Sequence, residues 1–472
     1  MTSSLQLFTF SLLIFFSLCQ SQPSHKPKAL VLPVSKDPST LQYSTQLSLG
    51  TPLKPINLVI DLGGRHLWMD CYTNYNSSTY QPGHCGSAAC SIAKASLCDL
   101  CFGTPQPGCT NYTCLLDPEN TIAGVAGYQE VATDVISLQA LDKTMSDHGS
   151  WSQYQLSTPE IEIHIGRGVI IPKFIFSCTG DWLLRGLVNG TKGMAGLGKT
   201  QIGLPSQLSS MFGGSLPRKF ALCLPSTLRY TTKIGAIGLP STSKANGVIV
   251  FGDAPYLFYP SYNKSKVIDR SQSFSYTNLY INPVSFAGVY QGRPSAEYFI
   301  AVKSIMIDTK PISINSTLLS INKKGIGGTK ISTIDPYTVL ESSIYKAFTE
   351  AFAEELKAMK ISKVAPVAPF TECFSRRMLG FTMVGVDVPV ITFVFRNQNV
   401  YWKVYGANSM VEISPEVVCL GFVDGGLDTK TSIVIGAHQL EESVVEFDLA
   451  SSKVGFSSSL LEEEAVCANF MF

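Results

Sequence analysis

The feature that most constrains this chain is a local pattern that occurs twice. A β-rich apolar run ends in an Asp, and a turn follows. The first copy is Val59-Ile60-Asp61-Leu62-Gly63-Gly64, with Leu67-Trp68 after it. The second is Thr333-Ile334-Asp335-Pro336-Tyr337-Thr338, with Val339-Leu340 after it. Each is answered downstream by an apolar run closing on Gly: Met194-Ala195-Gly196-Leu197-Gly198 for the first, Ile433-Val434-Ile435-Gly436 for the second. Such a repeat predicts two related halves, each presenting one carboxylate. The 472 residues also suit two domains better than one core.

The rest of the sequence predicts a mainly β, all-β-class protein with few short helices. Strand-like runs rich in Val, Ile, Phe and Tyr occupy Leu58–Asp61, Ile161–Ile165, Val169–Phe176, Val248–Phe251, Tyr298–Ile307, Val390–Phe395, Ser432–Ile435 and Val444–Phe447. One helix is clear: Ile344, Phe348, Phe352 and Leu356 recur every four residues, with Ser342 and Ser343 placed to cap it. Hydrophobic residues make up 45 % and charged residues only 15 %, with 36 Lys and Arg against 35 Asp and Glu. That balance argues against a disordered chain, and against binding nucleic acid or an anionic membrane through a basic field.

Thirteen cysteines are present. Leu5 to Leu18 is an apolar run of signal-peptide type, and cleavage near Ser21 or Gln22 removes Cys19 and leaves an even number. Seven cysteines crowd into one segment: Cys71, Cys85, Cys90, Cys98, Cys101, Cys109 and Cys114. Cys178, Cys223, Cys373, Cys419 and Cys467 complete the set, so full pairing requires a bond between the cluster and the rest of the chain. In a secreted protein these read as disulfides rather than a zinc or redox site. The Asn-X-Ser/Thr acceptors are Asn76, Asn111, Asn189, Asn263 and Asn315. The histidines show no metal spacing, and no cofactor or membrane anchor is called for.

On these motifs the chain resembles the pepsin-like aspartic peptidases in their plant branch, over roughly Leu41 to Phe456. The resemblance implies a bilobal pseudo-two-fold β fold: signal peptide 1–22, N-terminal lobe 23–245 with its Cys-rich insertion at 71–114, and C-terminal lobe 246–472. It implies Asp61 and Asp335 as the family's catalytic positions, across a cleft between the lobes. There, two adjacent carboxylates share one proton and activate a water.

Several family features are altered. Asp61 keeps Gly63, but Leu62 and Gly64 replace hydroxyl residues. At the second loop, Pro336 and Tyr337 stand where the family has its hydroxyl residue and Gly, while Thr338 keeps its hydroxyl. The flap segment reads Cys114-Leu115-Leu116-Asp117-Pro118, without the family's Tyr. These departures, with Gly327–Ser332 and Cys419–Gly426, resemble the plant extracellular pseudo-peptidases. That group includes extracellular dermal glycoprotein, xyloglucanase and xylanase inhibitors, and basic globulins of legume seeds.

The resemblance implies an apoplastic defence protein that inhibits a secreted microbial endoglucanase, in the xyloglucan-specific endo-β-1,4-glucanase class. A guanidinium on a stiff loop suits the paired carboxylates of such a cleft. Arg376 and Arg377, after Cys373, are the first candidates, Lys323 and Lys324 the second, and Arg65 the weakest. Two other readings stand beside this one: an active aspartic endopeptidase using Asp61 and Asp335, and a storage or peptide-binding globulin.

Overall fold

A computed structural model describes residues 26–145, 161–227, 246–261, 266–286, 290, 292–396 and 400–471. The signal-peptide segment and Asn263 lie outside the described residues.

A run of seven successive antiparallel strands lies within the large sheet, which has 20 strands among the described residues. The order of the run is Tyr43–Leu49, Ala29–Lys36, Asn246–Gly252, Lys219–Cys223, Ser443–Asp448, Lys453–Ser459 and Phe274–Tyr280. It draws strands from both ends of the chain and from its centre, so the two halves share a backbone ladder. Residue alternation assigns its faces. Leu30, Leu32, Val34, Ile249 and Phe251 join the main core, while Ala29, Val31, Val248 and Val250 join a second cluster with Tyr256, Phe258 and Phe470. On the main-core side, Phe220 stacks on Phe447 at 4.9 Å.

Several elements differ in extent from the sequence reading. The runs Ile161–Ile165 and Val169–Phe176 are one strand, Ile161–Thr179, in a long hairpin with Gln129–Met145. Tyr298–Ile307 is two strands, broken at Ala301. The clear helix spans Ser342–Ala358 and buries Ile344, Phe348, Phe352 and Leu356. Its cap is Glu341 rather than a serine: the carboxylate accepts from Ser343 N and Ile344 N. A second helix, Leu204–Phe212, was not anticipated, although Gly203, Pro205 and the left-handed Gly213 mark its ends.

All twelve described cysteines are paired: Cys71–Cys178, Cys85–Cys98, Cys90–Cys114, Cys101–Cys109, Cys223–Cys467 and Cys373–Cys419. Cys71–Cys178 ties the crowded segment to the lobe. Cys98 and Cys101 have different partners, which excludes a shared metal or redox role. Asn76, Asn111, Asn189 and Asn315 are exposed. Among the described residues, no helix is long and apolar enough to cross a membrane.

Candidate functional site

The site forms where the two halves meet. The strand Lys54–Asp61 runs parallel to Gly193–Gly196, with Asp61 opposite Gly196. In the second half, Thr329–Ile331 runs parallel to Ile433–Ile435, with Ile331 opposite Ile435. The next residues in register are Ser332 and Gly436. Ser332, not Asp335, is therefore the counterpart of Asp61.

Three further observations agree. Met194 pairs with Trp68 in the first half and Val434 with Val339 in the second. The same spacing separates Asp61 from Trp68 and Ser332 from Val339. A Cβ on Gly196 would meet His66 O at 2.4 Å, and one on Gly436 would meet Tyr337 O at 2.5 Å, which makes Tyr337 the counterpart of His66. Asp61 Oδ1 accepts from Gly63 N, two residues on, and Ser332 Oγ likewise accepts from Ile334 N, and from Asp335 N.

Asp335 as the second catalytic position is thus corrected by three residues. A hydroxyl stands where the family places its second carboxylate. Tyr337 does not replace the family glycine; that position belongs to Ile334. The Tyr337 ring instead packs edge-on against Phe370 at 4.7 Å, in the cluster around Cys373–Cys419. Asp335 is half-buried, and its carbonyl accepts from Ala437 N.

One half of the inter-loop clasp remains. Thr333 Oγ1 accepts from Leu62 N at 3.0 Å and donates to Ile60 O at 2.9 Å. Its counterpart, Leu62, is fully buried and has no hydroxyl to return the contact.

The cleft is occupied by the chain's own side chains. Lys330 Nζ pairs with Glu297 Oε1 at 2.6 Å. Gly63 leaves room for Glu297, whose Cγ lies 3.0 Å from where a Cβ would stand. Burial opposes the Lys330 charge, but Glu297, and beyond it Asp335 and Asp61, more than offset this and hold the ammonium above its ordinary value. A hairpin, Glu119–Asn120 with Val125–Ala126, lies where the family's flap would be. Its Thr121 hydroxyl donates to Asp61 Oδ2 at 2.9 Å, and Trp68 Nε1 donates to Glu119 O at 3.0 Å. The hairpin is fastened onto the residue that a substrate would need. A cavity of about 350 Å³ remains beneath it, with Asp61, Asp117, Glu119, Glu297, Lys330, Ser332 and Asp335 in its walls.

Burial raises the Asp61 carboxyl to about 6, even though hydrogen bonds from Thr121 and Gly63 pull it down; the Glu297 charge adds to the rise. Glu119 is raised by burial and then by Asp61, Glu297 and Asp117. His66 is buried, bonded to Ser177 Oγ at 2.8 Å, and depressed to about 3 by burial and by Arg65. Among the described residues, no group of three or more metal-type ligands converges.

The cationic loops lie outside this cavity. Arg376 bonds Glu412 Oε1 through Nε at 3.2 Å and Nη2 at 2.9 Å, and stacks on Phe381 at 4.3 Å. Arg377 meets Glu416 at 3.1 Å, with both side chains largely exposed. Lys323 and Lys324 are exposed on a turn held by Asn322 Oδ1, which accepts from Lys324 N at 2.8 Å and Ile326 N at 3.1 Å. Ser332, Thr121, Glu297 and Lys330 were not singled out from the sequence. The spacing between the second loop and its Gly436 partner was the available signal for Ser332.

The fold and this site define a pepsin-like scaffold in which a serine stands at the family's second carboxylate position. A family model described as xylanase inhibitor N-terminal matches residues 43–253, and one described as xylanase inhibitor C-terminal matches residues 297–458. The chain belongs to this xylanase-inhibitor family, a pseudo-peptidase branch of the pepsin-like aspartic peptidases. It is 48 % identical to "Probable aspartic proteinase GIP2" of Nicotiana benthamiana, over 98 % of this chain and 96 % of that one. It is 37 % identical to "Gamma conglutin 1" of Prunus dulcis, over 98 % and 95 %. The crystal structure of edgp matches with a TM-score of 0.84 and 49 % identity, covering 96 % of this chain and all of that one, 100 %. The aspartic proteinase from Irpex lacteus matches with a TM-score of 0.50 and 14 % identity over 91 % and 97 %, and so shares the fold.

Proposed function

We propose that this chain is a secreted, non-catalytic inhibitor of a microbial glycoside hydrolase, of the xyloglucan-specific endo-β-1,4-glucanase class, acting in apoplastic defence. The observation that carries this reading is the serine at the second dyad position, in a chain whose two halves match xylanase-inhibitor models. With a serine at that position, Asp61 has no second dyad carboxylate with which to share a proton. The Lys330–Glu297 pair and the fastened hairpin further disfavour a bound peptide. Six disulfides suit an oxidising, extracellular setting.

The target-facing surface in this reading is the Arg377 region, with Lys323 and Lys324 as a second contact. Arg377 is 73 % exposed and its partner Glu416 66 %, a pair of little net worth that a target carboxylate can displace. Exposed Met378, Phe381 and Met383 lie close by in sequence and supply apolar area around a cation. Arg376, with two bonds to Glu412 and a stacked ring, serves to hold the loop.

The test is the activity of a purified xyloglucan-specific endoglucanase titrated with the protein. Stoichiometric inhibition is expected, weakened about tenfold or more by Arg377→Ala. No inhibition of this class overturns the assignment of target; intact inhibition by Arg377→Ala overturns the loop. A parallel acid-pH proteolysis assay addresses the peptidase reading. Cleavage that Asp61→Asn abolishes would refute the non-catalytic assignment.

A further inference from the structure

A second cavity, of about 460 Å³, opens on the far side of Arg65 and Asp117 from the first. Its size is that of a small-molecule site, and its lining mixes exposed apolar side chains with cations. Ile92, Leu97, Tyr128 and Ile281 line it, all between 40 % and 57 % exposed, although large apolar side chains normally find cover. Lys94 also lines it, between Ile92 and Leu97 in sequence, and three further cations come from interlocked segments. Arg65 follows the Asp61 loop, Lys199 follows Gly193–Gly196, and Arg293 precedes Tyr298–Ile300. Hydrogen bonds fix these segments to one another. Lys199 N donates to Ala296 O at 2.8 Å, and Arg65 Nη1 to Pro294 O at 3.4 Å; Thr200 Oγ1 also donates to Arg65 O.

Among the described residues, neither Lys199 nor Arg293 has a carboxylate within ion-pair distance. Arg65 sits over the Tyr290 ring at 4.0 Å and feels Glu119, which lines the other cavity. Among the described residues, Asp117 is the one carboxylate in the cavity's lining. It is 3 % exposed, and neither of its oxygens has a hydrogen-bond partner among the described residues. Burial raises its carboxyl, and among the described residues it forms no ion pair with these cations. Burial and Arg218 depress Lys199, and burial and Arg293 depress Arg65, both signs of cations without sufficient countercharge.

We infer that this cavity binds a small organic carboxylate with a flat apolar body, its carboxylate on Lys199 and Arg293 and its body against Ile92, Leu97, Tyr128 and Ile281. The ligand pairs with Lys199 and Arg293, which have no ion-pair partner among the described residues, and covers the exposed apolar side chains. A guanidinium and an ammonium together recognise a carboxylate strongly in a partly desolvated site. The site uses neither Asp61 nor the Arg377 loop, so it is independent of the inhibitor reading.

The experiment is calorimetric titration of the full, disulfide-bonded protein with cinnamate, and with cinnamamide as the neutral isostere. Saturable one-to-one binding of cinnamate is expected, about tenfold or more tighter than that of the amide and weakened by added salt. Lys199→Met and Arg293→Gln should each weaken cinnamate by about tenfold. Arg293 is exposed, so its variant tests the site even if the lysine variant folds poorly. Lys323→Met, on an exposed turn that lines neither cavity, should leave binding within about twofold. Absence of saturable cinnamate binding, equal affinity for acid and amide, or undiminished binding to Arg293→Gln would each overturn the inference.

Discussion

Asp61 offers the sharpest test of the altered site, because its burial makes a quantitative claim about stability. Its carboxyl has an ordinary value of 3.8 and is raised to about 6 in the fold. The folded state therefore holds a proton that the unfolded chain releases earlier. With the folded value above the unfolded one, the contribution is fully present below pH 3.8 and is lost as pH rises through about 6. A shift of about two units corresponds to about 3 kcal/mol. Asp61→Asn removes the titration while keeping the shape. The amide oxygen can still accept from Gly63 N, and the Thr121 hydroxyl can turn to accept from the new NH₂. The variant should match the wild type near pH 3.5 and exceed it by up to about 3 kcal/mol near pH 7. Urea unfolding followed by fluorescence at a series of pH values reads both. Parallel stability–pH curves for the two proteins would refute the claim that Asp61 sits unshared and desolvated. A functioning dyad would instead show two coupled titrations displaced from each other.

Three further perturbations have expected outcomes. Lys330→Met leaves Glu297 without its cation and should cost about 1–3 kcal/mol in urea unfolding, with the Glu297→Gln/Lys330→Met double variant recovering part of the loss. Replacing Cys223 and Cys467 by Ser opens a loop with a sequence separation of 244 and should lower stability by about 4 kcal/mol; a loss below about 1 kcal/mol would mean that the shared sheet alone holds the chain ends. Glu341→Ala removes the cap on Ser342–Ala358 and should cost about 1 kcal/mol in thermal or urea unfolding, whereas Ser342→Ala should cost less, because Glu341 accepts the bonds from Ser343 N and Ile344 N.

Period and composition carried much of the fold. The unbroken apolar run Val248–Phe251 is the pattern of a strand buried on both faces, and the structure sends Val248 and Val250 to one core and Ile249 and Phe251 to the other. The four-residue recurrence in the helix was equally legible. Less legible were contacts made across long separations. The ion pair Lys330–Glu297 and the bond Thr121–Asp61 join segments with no local pattern in common. No periodicity marks a lysine that will neutralise a glutamate 33 positions away. The disulfide parity argument required a bond out of the crowded segment, but only the fold selects Cys178 over the other four candidates.

The displaced assignment at Asp335 has a physical cause. A carboxylate after Ile and before a turn is a strong local signal, and Asp335 carries it more conspicuously than Ser332. The cleft, however, is set by the position at which each strand leaves its parallel partner. In the first half that position is Asp61 beside Gly196; in the second it is Ser332 beside Gly436, where the glycine lets the Tyr337 carbonyl pass close. Thr333 then falls where its hydroxyl spans Ile60 O and Leu62 N, and it holds the halves together without a second acid. The loop has thus kept the hydroxyl that fastens the lobes while presenting a serine in place of the second carboxylate. A scaffold can lose the acid without losing the clasp, because the clasp depends on one hydroxyl and two backbone groups. Catalysis depends on two ionisable groups close enough to perturb each other.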